Sequence, residues 1–252
     1  MNPVFPAPVA GGNVETSQRN VDTLLKAFAQ MIPGKVCAAG QGTMNNITVG
    51  GEVSIGGHWS FYETIGGGMG ASSEVDGADG VHVHMTNTMN TPIETIETSY
   101  PLRLVKYELR ADSGGPGEWR GGVGIERSWM LLSDDATVSI LAERNKIAPW
   151  GLRGGREAAK GEFFLASTEG AKVKISSKTI FKMKKGDTLI VRTPGGGGYG
   201  NPQERDPNAV LKDVLNELVS VEAAEQEYSV AIDIRKKSIN WNLTRKLREN
   251  RR

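Results

Sequence analysis

The chain has 252 residues, enough for one large domain or two small ones, and its net charge of +1 gives no global pull toward nucleic acid or a membrane surface. A single cysteine, Cys37, excludes an internal disulfide framework and points to a reducing compartment. Residues Met1 to Pro6 lack a signal-peptide pattern, and no run approaches the ~20 apolar residues of a membrane helix, so the cytoplasm is the expected location.

The first helix is marked by N-cap candidates at Glu15-Thr16-Ser17-Gln18. Val21, Leu24, Leu25 and Phe28 then follow at the spacing of one buried helical face, and Pro33-Gly34 ends the helix. From Lys35 the pattern becomes short and alternating. Asn46 to Val49 and Ser54-Ile55 read as strands around Gly50-Gly51, and His58 to Glu63 as another. Gly66 to Ala71 and Asp76 to Gly80 read as loops. If Val81 to Met85 is a strand, His82 and His84 share one face. Pro101 to Arg110 reads as a strand, and Gly121 to Leu132 with Ala136 to Arg144 as a strand pair joined at Ser133-Asp134-Asp135. Phe163 to Leu165, Val173 to Ile175 and Thr188 to Val191 continue the series. The 32 glycines, nearly twice the usual ~7%, imply tight turns and places where another backbone or a ligand comes close.

After Asn201 the pattern becomes helical. Asp206-Pro207 opens one helix, with Val210, Val214 and Leu218 on a shared face, and Ser220 caps a second. The expected fold is α+β: a β-rich, sandwich or barrel-like body over residues 1–205 with one N-terminal helix, then a helical segment over 206–252. The stretch from Arg235 to Arg252 is strongly basic. It suits a solvated helical extension or a docking segment for an acidic partner better than a nucleic-acid arm.

Several motifs fail on inspection. Gly195 to Gly200 imitates a dinucleotide fingerprint, but Asn201-Pro202 follows it where a helix is needed. Cys37, among small apolar residues, reads as core. His82 and His84 leave three readings open, of which structural hydrogen bonding is favoured over substrate contact and over metal ligation, because no third ligand follows at a familiar spacing. Four polar strings dominate the first hundred residues: Gly12 to Arg19, Gln41 to Asn46, Tyr62 to Gly68 and His82 to Glu94. Carboxamides and hydroxyls beside glycines suit a site that holds amide or carbonyl groups. The same residues also serve simply to satisfy loop backbone.

These strings, together with Asp112 to Gly117, Trp119 to Gly124, Pro149 to Gly155 and Thr193 to Gly200, resemble the hydantoinase B/oxoprolinase family from about Asn2 to Val230. The resemblance implies one component of an ATP-dependent cyclic amide hydrolase of the N-methylhydantoinase or 5-oxoprolinase type. A hydantoinase-A-type subunit would bind ATP-Mg and phosphorylate the lactam or imide oxygen, and the B-type part would direct water onto the activated carbon. The carboxylase branch of the family, acting on acetone or acetophenone, and a non-catalytic scaffold role remain the alternatives.

The resemblance covers only the C-terminal half of a B-type subunit. It implies that the family's His/Asp divalent-metal cluster lies in the N-terminal half, carried either by a separate N-terminal-half polypeptide or by the rest of a longer chain of which this is a fragment, and no metal ligand is assigned to these residues. Within that frame Glu63 and His84 are the expected proton-transfer groups. Asn13, Glu15, Thr16, Asn45, Asn46, Asn87 and Asn90 are the expected substrate-side residues. The implied partners are the A-type subunit, the N-terminal-half polypeptide and a small cyclic amide, with no nucleic acid and no membrane.

Overall fold

A computed structural model describes residues 9–52 and 56–250. Helix α1 spans Val9–Phe28, and Pro33–Lys35 forms a single 3-10 turn after it. The body follows as β1 (Asn46–Glu52), β2 (His58–Glu63), α2 (Ile93–Ser99), β3 (Leu102–Leu109), β4 (Ile125–Leu131), β5 (Asp135–Leu141), β6 (Glu162–Ala166), β7 (Lys172–Ile175), β8 (Lys178–Lys184) and β9 (Thr188–Arg192). The C-terminal part comprises α3 (Pro207–Leu215), α4 (Val221–Tyr228), β10 (Ile232–Asp233), β11 (Ser238–Ile239) and α5 (Trp241–Glu249). The expected strand at Ser54-Ile55 lies outside the described residues.

Two antiparallel sheets, ordered β2-β1-β5-β8 and β3-β4-β9-β6-β7, share one apolar core. Alternation along each strand sends Ile47, Val49, Phe61, Val138, Ile140 and Met183 inward from the first sheet. Leu102, Ile125, Trp129, Leu131, Phe163, Leu189 and Val191 point inward from the second. The arrangement is a sandwich with open edges, and no closed barrel forms among the described residues. The expected pairing of β4 with β5 is overturned: β4 pairs with β3 and β9, and β5 with β1 and β8. The Ser133-Asp134 link therefore carries the chain from one sheet to the other, because a short link between apolar strands does not specify which sheet each joins.

The glycine runs serve mainly one of the two roles expected of them, the close approach of another backbone. Gly195 to Gly198 is no turn but a buried segment. Gly114 to Gly117 bends, yet it packs the same way. These two segments pack against Gly66 to Gly70, Gly121 to Gly124 and Trp150 to Gly155. They hydrogen-bond in several directions rather than within one plane: Gly115 N–H donates to Gly196 O, Gly196 N–H to Gly122 O, Gly122 N–H to Met69 O, and Gly197 N–H to Ala39 O. A Cβ on Gly196 would lie 2.0 Å from Met69 O, and one on Gly68 1.9 Å from Gly122 O. Neither position permits a side chain, so glycine is required for contact rather than for turning.

This bundle backs the loops that carry the polar strings. The C-terminal helices have their own apolar cluster around Val210, Val214, Ala224 and Tyr228. Ser220 and Asp206 cap them as the sequence predicts. Arg205, almost wholly buried, clamps Asp76 through two bonds of 2.7 and 2.8 Å and Asp213 through one of 2.7 Å, which ties that segment to the body.

Candidate functional site

Helix α1 turns an unexpected face to the protein. Glu15, Gln18 and Asp22, at helical spacing, are 5%, 0% and 4% exposed, whereas Leu24 and Phe28 of the expected apolar face are 57% and 47% exposed. The helix also begins earlier than predicted, at Val9. Helical spacing reveals two stripes here, and the polar one is buried because the loops below it supply partners for every residue in the row.

At the start of the row, Glu15 Oε1 accepts from the Thr43 hydroxyl (3.0 Å), Met44 N–H (2.9 Å) and the Asn46 amide (3.0 Å). Its Oε2 is buried without a partner. Burial pushes the Glu15 carboxyl up from its ordinary pKa, and its partners are neutral donors that only partly offset this. The Asn46 side chain also donates to Leu141 O and accepts from Tyr62 Oη (2.8 Å). Asn45, with φ of +51°, donates to Gln41 Oε1 (2.8 Å) and Ile65 O (2.9 Å). One turn on, the Gln18 amide donates to Val83 O and the Thr86 hydroxyl.

At the end of the row, Asp22 collects cations. Its Oδ2 accepts from Arg19 Nη2 (2.6 Å) and Arg144 Nη2 (2.7 Å), and its Oδ1 meets His84 Nε2 at 2.9 Å. Burial opposes ionisation of Asp22, but the His84 hydrogen bond and the charges of Arg144, Arg19 and His84 outweigh it and lower the pKa. Gly42, at φ +54°, lets Arg19 pass: a Cβ there would meet Arg19 Nη2 at 2.0 Å. Asn45, His84 and Arg144 all adopt left-handed backbone, a cost of about 1–3 kcal/mol each that concentrates around this row.

The expected site residues divide into groups. Glu15, Asn45 and Asn46 come together through Thr43, and His84 joins through Asp22. Asn13 and Thr16 occupy exposed positions of α1. The segment 81–85 is not a strand, because His84 sits at φ +56°. His82 and His84 therefore do not share a face. His82 is held between the Thr86 and Thr88 hydroxyls at 3.1 and 3.0 Å, and burial lowers its pKa. Asn87, His82, Thr88, Asn90 and Tyr107 line a cavity of about 570 Å³, where the Asn90 amide donates to Thr64 O and its oxygen accepts from Tyr107 Oη.

Glu63 lies elsewhere, on the inner face of β2. Arg127 on β4 reaches it from the opposite sheet, with Nε 2.9 Å from Oε2 and Nη2 3.1 Å from Oε1, and Thr91 N–H adds a bond of 2.7 Å. Tyr107 covers the guanidinium at 4.3 Å.

Matched against known families, residues 1–202 fit the hydantoinase B/oxoprolinase model. The chain belongs to the hydantoinase B/oxoprolinase family. It is 48% identical over 232 residues to an uncharacterized protein of Methanocaldococcus jannaschii, covering 92% of this chain and 40% of that one. It is 37% identical over 250 residues to the B-type subunit of a putative D-/L-hydantoinase from a Pseudomonas strain, covering 98% of this chain and 41% of the relative. The crystal structure of an ATP-dependent caprolactamase from Pseudomonas jessenii superposes with a TM-score of 0.77 at 28% identity, covering 89% of this chain and 40% of that one. The chain thus spans about two fifths of the length of these hydantoinase B relatives.

Among the described residues no three of His, Cys, Asp and Glu converge as ligands, and His82 and His84 are turned to separate partners. No helix among the described residues is long and apolar enough to cross a membrane. Sequence reasoning missed Asp22, Arg144 and Arg127. Asp22 was visible as the third member of the row Glu15, Gln18, Asp22. Arg144 lies 122 positions from Asp22, and Arg127 lies 64 from Glu63, so no local pattern announces either.

Proposed function

We propose that this chain is the C-terminal-half B-type component of an ATP-dependent cyclic amide hydrolase of the N-methylhydantoinase or 5-oxoprolinase type. It would work in the cytoplasm with a hydantoinase-A-type ATP-binding subunit and with the N-terminal half of the B-type fold. One observation carries the reading: the buried polar row of α1 gathers two of the polar strings, Gln41 to Asn46 and His82 to Glu94, into one network. The names of the Pseudomonas relatives, a hydantoinase component and a caprolactamase, support the choice of a cyclic amide.

In this reading the A-type subunit activates the ring oxygen by phosphorylation. The present chain supplies neutral donors and one backed histidine to orient the activated ring and water. With Asp22 ionised, His84 Nε2 carries a proton toward it, and Nδ1 becomes the basic nitrogen. Glu15, which keeps one oxygen without a partner, is the carboxyl available for proton transfer. Glu63, engaged on both oxygens, is a positioning residue for the Thr91 loop. No step runs through a metal held by this chain.

The test is ATP turnover by the complex reconstituted with both partner polypeptides. Hydantoin, 5-oxoproline and caprolactam are compared with acetone plus bicarbonate. Lactam-dependent ATP hydrolysis with ring opening is expected. Bicarbonate-dependent turnover of acetone without lactam opening would replace this reading with the carboxylase branch. A scaffold role is the second reading, favoured by the engagement of Glu63 with Arg127. It predicts that His84→Ala and Glu15→Gln leave turnover near wild type, whereas the leading reading predicts a loss of about 10²-fold or more for His84→Ala.

A further inference from the structure

We propose that the cleft between α1, the start of the β5–β6 connection and the β7–β8 turn binds a small oxyanion, a phosphate or a carboxylate group. The cleft has a volume of about 410 Å³ and is lined by Arg19, Arg144, Lys146 and Lys178, with Glu143 as the carboxylate among its lining residues. That size falls in the range of small-molecule sites.

The charges leave a cationic surplus. Arg19 and Arg144 donate to the same oxygen, Asp22 Oδ2, at 2.6 and 2.7 Å, so two guanidinium groups are held together over a single carboxylate. The other oxygen of Asp22 is taken by His84. Glu143 is engaged by Lys178 at the rim. Lys146 forms no ion pair with any described residue, and its side chain is exposed at the cleft. Cations outnumber carboxylates in this cluster even when Glu15, behind Arg19, is counted as ionised.

The surplus is built in rather than scattered over a surface. Arg144 is 6% exposed, adopts left-handed backbone at φ +62°, and donates through Nη1 to Ala148 O at 3.0 Å. Nε of Arg144 and Nε of Arg19 are buried without an acceptor. Asn145 anchors the loop by donating to Gly161 O at 2.7 Å. Burial and the neighbouring charge of Arg19 both press the Arg144 guanidinium toward its neutral form, so an added anion relieves a real repulsion. Paired guanidiniums with flanking ammonium groups match the geometry and charge of an oxyanion. This site does not depend on the function proposed above.

The test is calorimetric titration of the full chain with inorganic phosphate and, separately, with acetate, at constant ionic strength. Saturable binding with a Kd of about 1 mM or tighter is expected for at least one of them. Lys146→Glu, at an exposed position that leaves the Asp22 network intact, should weaken it by about 10-fold or more. Arg144→Met should abolish it, but that change also strips Asp22 of a partner, so the rim variant carries the conclusion. Tighter phosphate binding would identify a phosphorylated ligand, and tighter acetate binding a carboxylate-bearing one. No saturable binding of either, or binding indifferent to Lys146→Glu in a folded variant, overturns the proposal.

Discussion

Glu15 and Asp22 stand two turns apart on one helical face, yet their surroundings push their carboxyls in opposite directions. Glu15 receives only neutral donors and its pKa is raised by burial; Asp22 receives cations and its pKa is lowered. The stability contributions therefore have opposite signs in pH. Asp22 stabilises fully above its unfolded value of about 3.9 and loses that contribution as pH falls through its lower folded value. Glu15 contributes most at low pH and loses its contribution as pH rises from about 4.3 through its higher folded value. Denaturant midpoints should show the gap between wild type and Asp22→Asn closing as pH drops from 5 toward ~3. Glu15→Gln should gain on wild type as pH rises from about 4 to 7. A constant gap across both windows would refute the assignment. Glu63 is a third case. Removing one partner from its buried pair, by Glu63→Gln or Arg127→Met, should cost about 3–5 kcal/mol in chemical denaturation, because the partner is left charged and unpaired. The sequence showed Glu63 in register with the buried Phe61, but it could not show a cation arriving from another sheet. Both Glu63 oxygens are therefore engaged in a way that the strand pattern alone does not show.

At the scale of elements, strands were the legible part. Alternation located β2, β3, β6 and β9 because each buries residues on one face, and that signal is local; β7 was found by its β-branched residues although it is largely exposed. Beta pairing was not legible, since sheet membership depends on contacts far apart in the chain, as the separation of β4 and β5 shows. Helix α1 was found but turned inside out. Its apolar stripe is sharper in composition than its polar one, and only the partners of Glu15, Gln18 and Asp22 decide which is buried. For the glycines, tight turns and close approach of another backbone were both anticipated, but not which run serves which. The bundle makes a sharp prediction about them. Gly196→Ala would place a Cβ 2.0 Å from Met69 O, against backbone that cannot retreat, and should cost about 3 kcal/mol or more. Gly34→Ala, with nothing within 4 Å of the added carbon, should change stability by under about 0.5 kcal/mol. Equal thermal midpoints for the two variants would show that the packed segments can separate at little cost.

The molecule as a whole presents apolar surface that its own fold does not use. Leu24, Phe28, Met31 and Ile32 follow one another along the outer side of α1 and its end, at 57%, 47%, 77% and 44% exposure. The same helix buries its polar row, so rotation cannot hide these residues without exposing Glu15, Gln18 and Asp22 and orphaning their partners. The chain spans about two fifths of the length of the Methanocaldococcus and Pseudomonas relatives, so the rest of that length lies outside these residues. If an N-terminal-half polypeptide supplies it, the outer face of α1 is the apolar surface open to that polypeptide. A contiguous apolar patch left in water recruits hydrophobic dyes and promotes self-association. The isolated chain should accordingly bind an environment-sensitive dye and sediment faster as its concentration rises. Leu24→Lys with Phe28→Glu should suppress both effects while leaving the circular dichroism spectrum and thermal midpoint nearly unchanged, since neither side chain contributes to the core. Addition of the N-terminal-half polypeptide should suppress dye binding to the wild-type chain, and the double variant should fail to bind that polypeptide. Dye binding that persists in the double variant would place the apolar surface elsewhere. A double variant that still assembles normally would remove α1 from the interface.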